Sequence, residues 1–168
     1  DGAKTAVERA LKLDPGYGSP SLAMADYFNG ALDPAVEQIG RSEGKPAADF
    51  RVALWKALIL RAEGNAAGAD QALEAGAGAL GTAQWPAPLF DFMRGKISED
   101  KLRLAGKSGA PREQAEKLCQ IDFYIGETAF LAGNKDGARK ALRDAVGTRI
   151  FYYPEYVAAN ARQARMNP

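Results

Sequence analysis

Residues 64–73, GNAAGADQAL, return with the same pattern at residues 133–142, GNKDGARKAL. The shared frame is G-N-x-x-G-A-x-x-A-L, and the two copies start 69 residues apart. A weaker copy lies 34 residues before the first, where Gly30, Ala35 and Ile39 match the glycine, alanine and leucine of the frame. Because 69 is close to twice 34, the pattern indicates a repeated unit of about 34 residues.

A repeat of this length is typical of the tetratricopeptide (TPR) hairpin, in which two antiparallel helices cross closely. Small residues recur where such helices cross: Ala57 and Gly126 on the first helix, Ala69 and Ala138 on the second. No stretch has the alternation of a strand. We therefore predict an all-α fold, a TPR-like right-handed superhelix of antiparallel helix hairpins with a C-terminal capping helix. A generic alanine-rich helical bundle is the alternative.

Helix start and stop signals give the boundaries of the units. Ser19-Pro20, Asp33-Pro34 and Pro111 each predict a helix start. Residues 1–13 read as the second helix of a hairpin whose first helix is absent, which predicts a fragment or a processed form. We predict one domain over residues 1–168, with hairpins at about 20–43, 49–79, 86–105 (degenerate) and 111–147, a half hairpin at 1–13 and a capping helix at 154–166.

The composition disfavours several classes of function. The net charge is +1, so the chain lacks the strong positive electrostatic field that would attract nucleic acid. Histidine is absent, and with it the commonest general base and metal ligand, so we predict no cofactor and no metal. No apolar run approaches the roughly 20 residues of a membrane span. The expected partners are other proteins or peptides, and a homodimer is left open.

Five segments carry a family resemblance. Residues 122–127 (DFYIGE), 131–134 (LAGN) and 154–156 (PEY) follow one another as in the C-terminal part of the NlpI-type bacterial lipoproteins. Residues 92–99 (FMRGKISE) and 50–55 (FRVALW) resemble that family's F-Y-L-G-x-I-S-E stretch and F-R-x-L-W helix. The likeness covers roughly residues 46–160.

The resemblance implies a non-catalytic function. NlpI-type proteins are TPR scaffolds anchored to the inner leaflet of the outer membrane, and they form dimers that bring cell-wall hydrolases and a periplasmic protease together. This sequence has neither the anchor cysteine nor the N-terminal repeat of that family. Its localisation is unknown from the chain; the resemblance implies a periplasmic, outer-membrane-associated protein, and a cytoplasmic one is the alternative.

The first helix of each TPR hairpin lines the concave face, where partners bind. Arginines there pair with carboxylates, and aromatic side chains anchor a ligand. Alternatively, the apolar members pack against neighbouring hairpins, the arginines are solvated, and Glu127 only balances a nearby arginine. The predicted partner-binding residues are Arg51, Leu54, Leu58, Arg61, Gln120, Phe123, Glu127 and Phe130.

An aromatic cluster precedes and enters the last predicted helix. It is either a contact patch for a partner or a second copy, or a set of side chains that covers the core of the last hairpin. Its members are Phe151, Tyr152, Tyr153 and Tyr156. Trp85 is predicted to plug a hairpin junction, and Cys119 to be a small buried residue.

The leading function is a non-enzymatic scaffold or adaptor that binds proteins, with recruitment of cell-envelope enzymes if the resemblance holds. One alternative is a structural, self-associating domain of a larger assembly. The other is a carboxylate-based hydrolase, although first-turn acids are also favoured by the helix dipole. Its candidate residues are Asp91, Glu99, Asp100, Glu113 and Glu116.

Overall fold

The computed structural model describes residues 13, 20–42, 50–80 and 85–166, and over these the protein contains helices and no strand. The predicted all-α class is therefore confirmed. Most of the predicted half hairpin at 1–13 lies outside the described residues, as does Ser19 of the predicted helix start at Ser19-Pro20. The helices are α1 Pro20–Phe28, α2 Leu32–Arg41, α3 Arg51–Ala62, α4 Ala66–Leu80, α5 Ala87–Met93, α6 Glu99–Ala105, α7 Pro111–Leu131, α8 Lys135–Gly147 and α9 Pro154–Met166.

The start of α2 differs from the prediction. The helix begins at Leu32, and its N-cap Ala31 makes no side-chain capping hydrogen bond. Pro34 consequently lies inside the first turn rather than at its first residue. Proline is compatible with this position because the first four amide groups of a helix have no partner within it.

The chain divides into two compact units, residues 1–76 and residues 77–168, and each is described by itself. In the first unit α1 packs on α2 and α3, and α2 packs on α3. Trp55 of α3 is almost fully buried, and the rings of Tyr27 and Phe28 meet it edge-on at 6.2 and 6.0 Å between centroids. This aromatic cluster holds the short α1 against α3.

The second unit is built around α7. Both α8 and α9 pack on it, as do α5 and α6. A Cβ added to Gly126 would come within 2.7 Å of Leu142 Cγ, so α7 and α8 approach more closely there than any other residue would allow. The small residue that the repeat pattern predicts at this crossing is thus required by the packing.

The repeated frame forms the same turn in both of its copies. Gly64 has φ +82° and Gly133 has φ +79°, the left-handed conformation that glycine adopts without strain. The next amide donates back into the preceding helix, from Asn65 to Leu60 O at 2.8 Å and from Asn134 to Ala129 O at 2.9 Å. This is the Schellman motif that ends a helix.

The asparagine of the frame then starts the following helix. Asn65 Oδ1 accepts a hydrogen bond from the amide of Gly68 at 2.9 Å, and Asn134 Oδ1 accepts one from Gly137 at 3.0 Å. A Cβ on Gly68 or Gly137 would lie within 2.8 or 2.5 Å of that asparagine side chain. The second glycine of the frame therefore makes room for the cap.

Two further helices end in the same turn. Gly30 has φ +77° and Gly95 has φ +71°. The amide that follows donates to Asp26 O at 2.9 Å in the first case and to Asp91 O at 2.8 Å in the second. The turn predicted near Gly95 in the degenerate hairpin is therefore present, although no asparagine follows it.

Replacing Asn134 with alanine removes the α8 cap. We expect it to lower the free energy of unfolding by about 1 kcal/mol, because the Gly137 amide loses its acceptor. Chemical denaturation followed by circular dichroism would measure this. Asn160→Ala is the matched control, since Asn160 lies on the exposed side within α9 and alanine favours a helix interior. An equal loss from both substitutions would contradict the capping role.

Candidate functional site

The predicted partner-binding residues of α3 divide by burial. Leu54 and Leu58 are fully buried, so in this conformation neither offers surface to a partner. Arg51 and Arg61 are half-buried. The Arg51 guanidinium lies 4.6 Å from the centre of the Phe50 ring, and Arg61 pairs with Asp70 at the start of α4 at 3.6 Å. The role of these residues in binding a partner stays a prediction.

On α7 the predicted binding residues lie mostly inside the second unit. Phe123 is fully buried, and Gln120 accepts a hydrogen bond at Oε1 from the indole Nε1–H of Trp85 at 2.8 Å. Lys117 Nζ lies 5.8 Å from the centre of the same indole ring. Trp85 is thus fixed to α7 by its polar edge and by its face.

Glu127 and Phe130 are covered by the last helix. Arg162 of α9 donates from Nε and from its terminal nitrogen to the two Glu127 carboxylate oxygens, both at 2.9 Å. Its guanidinium also lies 4.1 Å from the centre of the Phe130 ring. Glu127 has no exposed surface, and Arg162 is only 7% exposed. The bidentate geometry fixes the position of α9 on α7.

Sequence reasoning missed Arg162. One alternative from the sequence is that Glu127 balances a nearby arginine. Its partner Arg162 instead follows 35 residues later, on another helix. The available signal was indirect: an acidic side chain on an otherwise apolar stretch of α7 needs a cationic partner when it is buried. The structure therefore places α9 over a surface that the repeat pattern predicts as part of a binding face.

The aromatic cluster is partly exposed. Tyr152 Oη donates to Glu116 Oε1 at 2.6 Å, and Tyr153 Oη donates to Glu116 Oε2 at 3.1 Å. Arg112 donates from Nε to the same carboxylate at 3.1 Å. The hydrogen bond from Tyr152, followed by those from Arg112 and Tyr153, lowers the pKa of Glu116. These contacts fasten the segment before α9 to α7.

The outer side chains of this region form an apolar surface, here called the C-terminal patch, that consists of Phe151, Tyr152, Tyr156 and Val157. Phe151 is 63% exposed, and Tyr152 and Val157 are each 58% exposed. Phe151 meets Tyr156 edge-on at 5.1 Å between ring centroids. Tyr153 and Tyr156 are half-buried, so the cluster both covers the second unit and presents apolar surface.

Three of the five carboxylates considered for hydrolysis, Glu99, Glu113 and Glu116, have structural contacts. Glu99 forms an ion pair with Arg103 at 3.0 Å. At the start of α7, Glu113 Oε2 accepts a hydrogen bond from the backbone amide of Ala110 at 2.8 Å. Glu99 and Asp100 lie in the first turn of α6, where the helix dipole favours them. Glu116 is held by the tyrosines, and Asp91 lies on α5, half-buried.

The described part of the chain contains no group of three or more histidine, cysteine, aspartate or glutamate side chains that could hold a metal ion. None of its helices combines the length and apolarity required to cross a membrane. Cys119 is buried within α7, where the sequence predicts a small apolar role.

A second ion pair links α6 to α7. Asp122 is 4% exposed and accepts a hydrogen bond from Arg103. Burial raises the pKa of the Asp122 carboxyl, while Arg103 opposes the rise. The folded protein therefore holds the Asp122 proton more tightly than the unfolded chain does, and ionisation of this group above about pH 3.9 disfavours the folded state.

An Asp122→Asn variant tests this sign. At the lowest pH the Asp122 carboxyl is neutral in both the folded and the unfolded state. As the pH rises through the pKa of the unfolded chain and then through the raised pKa of the folded protein, the parent loses free energy of unfolding because this carboxyl ionises, whereas the variant has no carboxyl here to ionise. The variant should therefore gain free energy of unfolding relative to the parent across that interval and keep a constant difference above it. Urea unfolding at successive pH values measures the difference. Asn160→Ala, which replaces an exposed residue that carries no titratable group, is the control and should give a flat difference.

No protein-family model matches the chain.

Proposed function

We propose that this protein is a non-catalytic scaffold of the TPR type, which binds other proteins or peptides. The observation that carries the proposal is the four-fold recurrence of one helix-ending turn, at Gly30, Gly64, Gly95 and Gly133. Each turn is followed within a few residues by another helix. Gly30 and Gly64 are 34 residues apart, the length of one TPR hairpin.

The contacts of the hairpins support the same proposal. The α7 and α8 helices approach each other closely where Gly126 meets Leu142, and a small residue at a crossing point is what close packing of a helix hairpin needs. We propose that the hairpins stack into a right-handed superhelix and that α9 is its capping helix. Stacked hairpins of this kind leave a long surface for another polypeptide, whereas they assemble no preformed reactive site.

The side-chain chemistry favours binding over hydrolysis. The Glu99, Glu113 and Glu116 carboxylates are used in an ion pair, a helix cap and tyrosine hydrogen bonds. The sequence resemblance to the NlpI-type lipoproteins supports a place in the bacterial cell envelope, where such a scaffold would recruit enzymes. Self-association remains part of this proposal because proteins of that family are dimers.

Site-specific photo-crosslinking tests the proposal. A photoreactive amino acid is placed singly at Arg51, Arg61 and Phe151 of the full chain, and at the exposed residues Gln71 and Lys135 as controls. After irradiation in an extract of the source cells, we expect discrete protein adducts at the first three positions and none at the controls. Adducts at all five positions, or at none, would contradict a scaffold with a defined binding face.

A further inference from the structure

Three of the five exposed large apolar side chains in the described part of the second unit belong to the C-terminal patch. Phe151, Tyr152 and Val157 are each more than half exposed. Single exposed apolar residues are ordinary on protein surfaces, but exposed apolar side chains that lie close together in sequence and include two aromatic rings indicate a place of contact. The tyrosine hydroxyls bound to Glu116 hold the patch in a fixed arrangement, so little order has to be created on binding.

Two arginines adjoin the patch, Arg112 in space and Arg149 in sequence. Arg149 is exposed just before Phe151, and the Arg112 side chain, 77% exposed, lies 5.5 Å from the centre of the Tyr152 ring. Glu155 is the sole acidic residue between positions 148 and 166, and it is fully buried. The Glu116 carboxylate lies beside the patch, and it already accepts hydrogen bonds from Arg112 and Tyr152. The exposed surface is therefore apolar with positive charge at its edge.

Arg149 has a strained backbone. Its φ is +58°, and it is the one residue other than glycine with positive φ in the described part of the chain. It follows α8 at the same position that Gly30, Gly64, Gly95 and Gly133 hold after their helices. Residues other than glycine in this conformation cost about 1–3 kcal/mol and cluster at functional sites. A glycine here would relieve the strain but remove the positive charge beside the patch.

We propose that the C-terminal patch binds an acidic peptide segment that carries an aliphatic or aromatic anchor residue. The anchor packs on Phe151 and Val157, and a carboxylate of the segment pairs with Arg149. This inference rests on the proposed scaffold function and names the chemistry of one partner. A second copy of the chain fits less well, because a two-fold interface would set this basic patch against itself.

Three short fluorescent peptides test the proposal by anisotropy with the full chain. The first alternates acidic residues around one central leucine, the second replaces that leucine with serine, and the third replaces the acids with lysine. We expect saturable binding of the first peptide, at least about tenfold weaker binding of the second, and none of the third. Binding of the first should weaken as salt is added, because the arginine pairing is screened.

The Arg149→Gly variant distinguishes an effect on peptide binding from an effect on the stability of the fold. It should raise the melting temperature by about 2–4 °C, since glycine adopts this φ without strain. It should also weaken binding of the acidic peptide about tenfold, since the charge is lost. Arg149→Lys keeps the charge and should retain most of the binding. A lower affinity together with a higher melting temperature is a result that simple damage to the fold does not give.

Phe151→Ser should abolish binding, whereas Leu104→Ser, at an equally exposed position on α6, should leave it unchanged. Equal binding of the lysine peptide, or full binding by Arg149→Gly, would overturn the proposal. A dimer in sedimentation equilibrium that Phe151→Ser dissociates would assign the patch to a second copy instead. Protein adducts at Arg51 or Arg61 without any peptide binding here would overturn this inference and leave the scaffold function standing.

Discussion

Replacing Arg162 with alanine is expected to lower the free energy of unfolding of the second unit by about 3–5 kcal/mol. The substitution removes the bidentate guanidinium partner of Glu127, a carboxylate with no exposed surface. It also removes the cation from the face of the Phe130 ring. A buried carboxylate that loses its counter-charge is costly, so the loss should exceed that of an ordinary surface contact.

Urea unfolding followed by circular dichroism measures the change, and amide hydrogen exchange locates it. The exchange of α9 amides should accelerate more than that of α8, because the ion pair joins α9 to α7. Arg165→Ala is the matched control: it removes an exposed arginine from the same helix, and its effect should stay within about 0.5 kcal/mol. Equal effects of the two substitutions would show that the buried pair does not hold α9.

Replacing both partners together distinguishes the cost of leaving one buried charge unpaired from the net contribution of the ion pair to stability. Glu127→Leu together with Arg162→Met leaves two apolar side chains of similar length in place of two charges. We expect the double variant to be close to the parent in stability, although each single substitution is destabilising. Such a result would mean that the ion pair specifies where α9 docks and adds little net stability.

The helix boundaries could be read from the sequence because their signals are local. A glycine with positive φ and the asparagine after it act within a few residues of each other, as at Gly64 and Asn65 or Gly133 and Asn134. The same local signal predicts the turn of the degenerate hairpin, because Gly95 follows the end of α5 although the other residues of the repeated frame are absent there. The single domain and the superhelical stacking of the hairpins stay predictions.

The candidate site was less predictable because its contacts are between distant residues. Arg162 is one of 22 lysines and arginines in the chain, and nothing near Glu127 in sequence selects it. The hydrogen bond from Trp85 to Gln120 likewise joins residues 35 positions apart. Both contacts depend on how the helices of the second unit pack, which hydrophobic periodicity alone does not specify.

Burial on α3 was ambiguous for a different reason. Seven of its residues, spread around the helix, are buried, among them Leu54, Trp55 and Leu58. A helix that is apolar on most of its circumference gives no contrast between a face that packs and a face that binds. The prediction that Leu54 and Leu58 face a partner therefore had no pattern to separate it from core packing.

Gly126→Leu should lower the free energy of unfolding by about 3 kcal/mol, the upper end of the range for overpacked cores. Even a Cβ at this position would lie 2.7 Å from Leu142 Cγ and 3.3 Å from the Leu142 backbone nitrogen. The leucine side chain can rotate away from the first contact, but the backbone contact can be relieved only by separating α7 from α8. Thermal and urea unfolding of the variant measure the loss.

Gly78→Ala is the matched control for the helical cost of glycine. A Cβ at Gly78 in α4 would meet no atom within 4 Å, so alanine there should stabilise the protein by up to about 1 kcal/mol. Gly126→Ala should instead be destabilising, and Leu142→Ala in the same chain should reduce that cost because it vacates the contacted atoms. If alanine stabilised the protein equally at both glycines, close approach of the two helices would not be what requires glycine at position 126.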